Sequence, residues 1–294
     1  MLLKRKLKTA VAPKKAIVVK KKLTSFRVSI FTRHPSHSPL RRELPLLPFR
    51  AVVRLGSTTP SVRRQECNSI QGVKNSSSKL LMKQCFTRAG VKTADWWTYE
   101  SQGNIFIKNN TGQQGCSIAD LQYPIVAKSH YGSRGVGNTK LNTQVELKAW
   151  MRGKTLSNFI FERFISNMSR EYRLHVTSDG CFYACRKLLR NDAPEGTWQL
   201  HDDVCSWAIE TNPSFKKPGN WNLIVQDCIR AKDALGLDIC AFDVMVQGAK
   251  AGLENNNPEW AIIESCSAPS FGDLTLQKYL IEIPKVLKRK YLNG

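Results

Sequence analysis

Hydrophobic positions recur along this chain with two different spacings, and each spacing predicts a type of secondary structure. Apolar residues that alternate with polar ones, or follow one another in a short unbroken run, are typical of strands. Such runs predict strands at residues 25–31, 49–55, 123–128, 159–165, 170–176, 181–190, 239–247 and 260–269.

Other segments place apolar residues three or four positions apart, which is the spacing of an amphipathic helix. One of them begins at a serine and is followed by Gly90, and another is followed by Gly236, as is typical of helix ends. The spacing predicts helices at residues 36–44, 76–89, 143–151 and 223–235. Strands and helices mixed in this way indicate an α/β protein of the α+β kind.

The turn Ser178-Asp179-Gly180 predicts a hairpin between two of the strands. Because side chains alternate between the two faces of a strand, one face of the first strand carries Glu171, Arg173 and His175. The returning strand carries cations in its second half: Arg186, Lys187 and Arg190. A sheet with one solvated face explains most of this pattern. A solvated face does not, however, require an acid, a guanidinium and an imidazole at successive positions of that face.

Two strands near the C-terminus each carry one carboxylate, Asp243 and Glu264. Alternation predicts that Asp243 shares a face with Ala241 and Met245, and Glu264 with Ile262 and Cys266. If the strands pair, both carboxylates lie on one face and raise each other's pKa unless a cation lies between them. Such oxygen ligands suit Mg²⁺ bound together with nucleotide phosphates. The alternative is two separate, solvated strand residues.

The strand at residues 123–128 ends at Lys128 and continues into a loop that contains Gly132, Gly135 and Gly137. Glycines allow backbone N–H groups to approach phosphate oxygens, and Lys128 and Arg134 add positive charge there. The loop matches neither the Walker pattern nor the Rossmann fingerprint, so a surface turn is the alternative interpretation.

In this order the residues resemble the ATP-grasp superfamily, and most closely the phage-type and RimK-like peptide amidoligases. The similar motifs are Arg-Glu-Tyr-Arg-Leu-His-Val at 170–176, Arg-Lys at 186–187, a loop with Asn, His and Trp, and an Asp strand followed by a Glu strand. The resemblance covers about residues 50 to 280. It implies an ATP-grasp fold in which two α+β subdomains enclose ATP. The implied parts are a basic arm at 1–22, a reduced pre-ATP segment at 23–75, and subdomains at 76–160 and 161–290.

The resemblance also implies an activity: ATP- and Mg²⁺-dependent ligation of a carboxylate to an amine through an acyl phosphate, on a peptide or protein substrate. Glu162 and Phe164 would lie at the adenine-binding hinge, and Glu171 would hold the ribose hydroxyls. The phosphates would be bound by Lys79, Lys128, Gly132, Ser133 and Gly135. The reacting groups would be contacted by Arg134, Arg173, Arg186 and Lys187. Mg²⁺ would be held by Asp243 and Glu264.

Cys266 departs from the pattern of the family, which has Asn two residues after the Glu. A thiol is a poor ligand for Mg²⁺, so either water or Ser267 supplies an oxygen, or metal affinity falls. Two other functions therefore stay open. One is a catalytically degenerate ATP-grasp protein with a structural or binding role in a virion or on nucleic acid, and the other is an ATP-grasp small-molecule kinase.

Two further features have a functional and a structural interpretation. His175 could assist deprotonation of the amine, but a structural hydrogen bond is the better interpretation. The polar segment at residues 191–222 contains His201 and two tryptophans, and a loop this long is commonly functional or mobile. In the family it lies near the acceptor site, whereas a surface excursion is the alternative.

The net charge of +22 is concentrated at the start of the chain. Residues 1–64 contain 17 Lys or Arg and one acid, whereas residues 65–294 contain 28 Lys or Arg and 22 acids. A polybasic arm at 1–22 can bind nucleic-acid phosphates, an acidic protein or an anionic membrane. A solvated arm or an organellar targeting segment explains it as well.

Cysteine usage and hydropathy predict the compartment. The nine cysteines form no CxxC pair, which indicates a reducing compartment and not a disulfide framework or zinc site. No apolar run is long enough for a membrane span or the core of a signal peptide. The sequence therefore predicts a cytoplasmic protein, and the resemblance to phage enzymes leaves a host cytoplasm open.

Overall fold

The computed structural model describes residues 24–62, 65–109, 114–132, 135–166, 169–201, 203–248 and 257–292. These residues form three β-sheets with helices packed against them. The arm at 1–22 and, in the glycine-rich loop, Ser133 and Arg134 lie outside the described residues, so their roles stay predictions. None of the helices in the described ranges has the length and apolar character needed to cross a membrane.

The first sheet is small and parallel. It consists, in this order, of β1 (Ser29–Thr32), β2 (Val52–Leu55) and β3 (Glu66–Cys67), with the short helix α1 (Leu40–Glu43) between β1 and β2. The predicted helix at 36–44 is therefore shorter than expected. A separate 3-10 turn at Pro35–His37 precedes it, and Ser38 and Pro39 lie between the two.

Two helices lead from this sheet into the second one. They are α2 (Ile70–Ser77) and α3 (Lys79–Arg88), separated by Ser78 alone. The backbone of Ser78 is extended (φ −106°, ψ 118°), and its hydroxyl accepts a hydrogen bond from the Leu81 N–H. The prediction of one helix from residue 76 is wrong at its start, because Ser78 ends one helix and caps the next.

The second sheet has six strands and carries one helix. Its elements are β4 (Trp96–Glu100), β5 (Ile105–Lys108), β6 (Gln114–Cys116), β7 (Ile125–Ser129), β8 (Asn138–Leu141), α4 (Gln144–Met151) and β9 (Phe159–Arg163). The strand order is β6-β5-β4-β9-β7-β8. The central strand β9 pairs with both β4 and β7, which places Glu162 in the middle of the sheet.

The third sheet has five antiparallel strands and two helices. Its elements are β10 (Arg170–Thr177), β11 (Gly180–Leu189), β12 (Cys205–Ile209), α5 (Trp221–Leu235), β13 (Cys240–Val246), β14 (Trp260–Cys266) and α6 (Asp273–Leu292). The strand order is β12-β11-β10-β13-β14. The predicted hairpin between β10 and β11 is confirmed, and the Asp243 strand pairs with the Glu264 strand.

Three apolar clusters hold these layers together. One face of the five-stranded sheet packs on α3 and α5, with Leu174 and Ile224 among the fully buried residues. A second cluster joins the small parallel sheet to α6 and includes Ile30 and Ile283. The third lies between α4 and the six-stranded sheet. The opposite face of the five-stranded sheet carries charged residues and lines a cavity shared with the six-stranded sheet.

Candidate active site

A cavity of about 520 Å³ lies between the five-stranded and the six-stranded sheet. Its walls are rich in charged side chains, which come from both sheets and from the first turn of α3. Most of the site residues predicted from the sequence line it: Lys79, Lys128, Gly135, Glu162, Phe164, Glu171, Arg173, Lys187, Asp243 and Glu264. A volume in this range is typical of small-molecule and cofactor sites.

Asp243 and Glu264 lie directly opposite each other on β13 and β14. After Asp243 the register shifts, so that Val244 pairs with Ile262 and Ile263 is the additional residue of a bulge. Ile262 therefore packs in the apolar core, whereas Glu264 lines the cavity. The prediction that Ile262 and Glu264 share a face is wrong, because the bulge reverses the alternation between them.

Asp243 is the centre of a buried ion network. Its carboxylate accepts hydrogen bonds from Arg173 Nε at 2.7 Å and Nη2 at 2.9 Å, and from Lys187 Nζ at 3.0 Å. Burial alone would raise the pKa of Asp243, but Arg173 and then Lys187 outweigh it and hold that pKa below its usual range. Asp243 is therefore ionised at any physiological pH.

Glu171 completes this network from β10. Lys187 Nζ donates to Glu171 as well as to Asp243, so one ammonium bridges two carboxylates. Burial, opposed by Lys187 and assisted by the nearby charge of Asp243, raises the pKa of Glu171 to about 7. The ring of Trp207, on the edge strand β12, covers the network from outside. Its centroid lies 5.1 Å from Arg173 Cζ and 5.5 Å from Lys187 Nζ.

On the six-stranded sheet, Glu162 is the partner of two lysines. Lys128 Nζ lies 2.8 Å from one carboxylate oxygen and Lys83 Nζ lies 3.3 Å from the other. Burial by itself would raise the pKa of Glu162, but Lys128 and Lys83 lower it below its ordinary value. Burial lowers the pKa of Lys83 to about 8. Sequence reasoning missed Lys83, although its position one helical turn after Lys79 was a usable signal.

Lys79 connects the two sheets at the start of α3. Its ammonium donates to the Gly132 carbonyl oxygen at 2.9 Å and lies 3.6 Å from a carboxylate oxygen of Glu264. The Glu264 side chain is 41% exposed, so this acid is held far less firmly than Asp243. Gly135 has a left-handed backbone (φ +76°), which favours glycine in the loop that Lys79 touches.

The connection from β11 to β12 crosses the cavity and reaches the six-stranded sheet. Trp198 packs edge-on against Phe164, with ring centroids 6.0 Å apart. A Cβ atom on Gly135 would overlap the side-chain amide of Gln199, so the two loops are in direct contact. The polar segment after residue 191 is therefore part of the cavity wall. No sequence motif marks Gln199 as a residue of this wall.

Cys266 follows Glu264 by two residues and lines both this cavity and a smaller adjoining one of about 350 Å³. Burial raises the pKa of its thiol to about 11, so the sulfur stays protonated and is a poor metal ligand. In the described part of the chain, no group of three or more His, Cys, Asp or Glu residues could hold a metal ion. A metal here would depend on oxygens from a bound nucleotide.

Two predicted residues lie away from the cavity. Arg186 is on the opposite face of β11 from Lys187, where its guanidinium donates to the Ser214 carbonyl oxygen at 2.9 Å. His175 is buried and shares a hydrogen bond of 3.1 Å with the Tyr279 hydroxyl, which fits the structural interpretation. Burial lowers the pKa of His175 to about 3, so the imidazole stays neutral.

The residues brought together here can bind an anionic ligand and stabilise negative charge that moves during a reaction. The site faces inward from two sheets, and its cations are held by carboxylates instead of by water. Sequence reasoning also missed His34, which reaches the cavity from the 3-10 turn after β1. Its Nδ1 accepts a hydrogen bond from the Ser36 N–H, a contact that depends on the turn and not on a recognisable motif.

Solved structures with related folds are similar to this chain. The D-alanine–D-alanine ligase of Bacillus anthracis complexed with ATP matches with a TM-score of 0.53 at 11% identity, over 83% of this chain and 81% of that chain. The N5-carboxyaminoimidazole synthetase of Staphylococcus aureus complexed with ADP matches with a TM-score of 0.54 at 14% identity, over 81% and 60%. No family model and no curated protein matches. The similarity shows that this chain has the ATP-grasp fold.

Proposed function

We propose that this chain, with its ATP-grasp fold, is an ATP-dependent ligase that joins a carboxylate to an amine. The observation that carries the proposal is the set of paired lysines, arginines and carboxylates around one cavity between two sheets. Two structures that share the fold were determined with ATP and with ADP. Phosphoryl transfer depends mainly on positioning and on neutralising charge, and these are the tasks such side chains perform.

ATP would bind with its phosphates between Lys79, Lys128 and the loop that contains Gly132 and Gly135. Lys79 and Lys128 each have ammonium donors beyond those used in the ion pairs described above. The predicted Ser133 and Arg134 belong to the same loop and would add to the phosphate contacts. Toward the other end of the nucleotide, we place the adenine near Glu162 and Phe164 and the ribose near Glu171.

Mg²⁺ fits the cavity through Asp243 and Glu264, which lie opposite each other on one face of the sheet. Mg²⁺ in nucleotide sites takes one or two carboxylates and completes its shell with phosphate oxygens and water. Glu264 is the freer ligand, because Arg173 and Lys187 already hold both oxygens of Asp243. Mg²⁺, when bound, would neutralise charge on the β- and γ-phosphates.

The proposed reaction has two steps. A carboxylate oxygen of the substrate attacks the γ-phosphorus of ATP, and the bond to the β,γ-bridging oxygen breaks. ADP leaves, and the substrate is now an acyl phosphate. An amine nitrogen then attacks the acyl carbon, the bond to phosphate breaks, and an amide and inorganic phosphate form. Arg173 and Lys187 would orient the carboxylate and stabilise the acyl phosphate, because both present positive charge to the cavity. A peptide or protein substrate is part of the proposal.

An isotope experiment tests this reaction. The protein is incubated with ATP, Mg²⁺ and a panel of amino acids and acidic peptides whose carboxylates carry ¹⁸O, together with candidate amines. We expect ADP and inorganic phosphate in equal amounts, with one ¹⁸O transferred from the carboxylate into the phosphate. Phosphate without ¹⁸O in the presence of amide would contradict the acyl-phosphate route.

The same experiment separates the two alternatives. A small-molecule kinase would transfer the γ-phosphoryl group to a hydroxyl, so ADP would form without free phosphate. A catalytically degenerate protein would bind ATP without forming ADP with any substrate pair, and the protonated thiol of Cys266 beside Glu264 is the observation that favours it.

A further inference from the structure

We propose that the small parallel sheet carries a second binding site, which takes the phosphate backbone of a nucleic acid. The site lies at the end of β1 and β2 that faces away from the cavity. The side chains that form it are all exposed: Arg27, Arg41, Arg42 and Arg50. This proposal does not depend on the ligase activity, because none of these residues lines the cavity.

The fold brings these arginines to one edge. β1 and β2 are parallel and in register, so Arg27 and Arg50 lie side by side just before the two strands begin. The Arg27 guanidinium donates to the Arg41 carbonyl oxygen at 3.0 Å, which ties the start of β1 to α1. Arg50 Cζ lies 5.1 Å from the ring centroid of Phe26. Arg27, Arg41 and Arg50 therefore lie close together, and Arg42 is the next residue of α1.

The positive charge of this edge is not neutralised by the protein. Residues 24–62 contain six arginines and a single acid, Glu43. Arg54 is the exception, since it is buried and paired with Glu66. Within the described residues, no acid lies at ion-pair distance from the four exposed guanidinium groups. A guanidinium offers a planar pair of donors that matches phosphate oxygens, so uncompensated arginines favour phosphates as ligands.

A nucleic acid suits this surface better than a membrane does. Residues 1–22 carry nine Lys or Arg and no acid, and the chain continues from them directly into the arginine edge. An extended polyanion could contact both. Insertion into the interface of a membrane requires apolar side chains beside the cations. Among the large apolar residues described between 24 and 50, only Leu46 is exposed, because Arg50 covers Phe26 and Val28 is buried.

Fluorescence anisotropy with a labelled DNA duplex and a labelled RNA of mixed sequence tests the proposal at several salt concentrations. The test variant is Arg27→Gln/Arg41→Gln/Arg50→Gln in the full chain. The control is Lys148→Gln/Arg152→Gln/Lys278→Gln, which removes the same charge from exposed positions elsewhere. We expect the test variant to bind about tenfold more weakly at low salt. The slope of log affinity against log salt concentration should also become shallower. Each lost phosphate contact reduces the slope by about 0.7–0.9, so the loss of three contacts reduces it by roughly 2 to 3.

Unchanged affinity in the test variant, or an equal loss in the control, would overturn the proposal. Binding to vesicles of anionic lipid without binding to DNA or RNA would overturn it too. Arg42→Gln serves as a second variant if the triple substitution lowers the melting temperature, since Arg42 has no side-chain partner recorded within the described residues. It should weaken binding about twofold to fourfold. ATP-dependent ADP formation should be the same in all of these variants.

Discussion

Asp243 and Glu264 lie opposite each other on paired strands, but the two carboxylates are held with different firmness. Asp243 is fixed by three hydrogen bonds from Arg173 and Lys187, whereas Glu264 is paired with Lys79 at the longer distance of 3.6 Å. Truncating Asp243 would leave the half-buried Arg173 without its carboxylate and Lys187 with Glu171 alone, which is costly for folding. Glu264 can be changed with little effect on the fold, so substitutions there report on the chemistry.

We expect Glu264→Gln to lower Mg²⁺-dependent ADP formation at least about tenfold, or roughly 1.4 kcal/mol of transition-state stabilisation. The amide keeps the size and hydrogen-bonding capacity of the side chain but removes its charge. Steady-state ADP release measures the effect, and Glu259→Gln, at an exposed position just before the same strand, is the matched control. Full activity in Glu264→Gln would rule out this acid as a metal ligand.

Cys266 offers a test in the opposite direction. Asn at this position would supply a carbonyl oxygen beside Glu264 in place of a protonated thiol, so Mg²⁺ affinity or turnover should rise by about twofold to tenfold. Titration of Mg²⁺ against ATP binding compares Cys266→Asn with Cys266→Ala, which supplies no ligand. If both variants bind Mg²⁺ equally, the metal does not reach residue 266.

At the scale of elements, two loops from different sheets form one part of the cavity wall. The loop between β7 and β8 contributes Gly135, and the connection between β11 and β12 contributes Trp198 and Gln199. They touch where Gly135 lies against the Gln199 side chain.

The contact predicts a coupling between Gly135 and Gln199. Gly135→Ala introduces both a left-handed alanine, which costs about 1–2 kcal/mol, and an overlap with Gln199, so nucleotide affinity should fall about tenfold. The double variant Gly135→Ala/Gln199→Ala relieves the overlap but not the backbone strain, and should recover part of the affinity. Isothermal titration with ATP measures all three variants, including Gln199→Ala alone. Equal affinities of the single Gly135 variant and the double variant would show that the loops do not meet during binding.

The elements also show what a sequence can reveal. Strict alternation was sufficient to predict that Glu171 and Arg173 share a face, because β10 has no irregularity near them. It failed at Ile263, since a bulge depends on the partner strand and leaves no mark in the local pattern. The family resemblance gave Arg186 and Lys187 the same role, although alternation puts adjacent strand residues on opposite faces. The pairing of Lys83 with Glu162 joins elements about 80 residues apart and required the folded structure.

At the scale of the whole molecule, two buried histidines join distant parts of the chain. His37 shares a hydrogen bond of 2.7 Å with the Pro269 carbonyl oxygen, and His175 one of 3.1 Å with the Tyr279 hydroxyl. Burial lowers the pKa of His37 to about 4 and that of His175 to about 3. Both stay neutral in the folded protein but take up protons when it unfolds below pH 6.5.

The unfolding free energy should therefore decrease as the pH falls from about 6.5 towards 4. Each depressed histidine contributes up to about 1.4 kcal/mol per pH unit, and this stability is fully present only above the unfolded pKa. His175→Gln removes one of these two contributions. The unfolding free energy of this variant should therefore change less steeply with pH, by up to about 1.4 kcal/mol per pH unit. Urea unfolding at several pH values measures the slope, with His201→Gln as a control. An unchanged slope in His175→Gln would mean that His175 is charged in the folded state.

The cluster that joins β1 and β2 to α6 has a consequence for synthesis. Ile30 is buried against a helix whose residue Ile283 follows it by about 250 positions. At roughly 5–20 residues per second, a ribosome needs on the order of 10–50 s to make the intervening chain. During that time the apolar face of the first sheet lacks the cover that α6 provides. A ribosome stalled before Asp273 would hold that face exposed to chaperones and proteases, and the first part of the protein to be made would be among the last to fold.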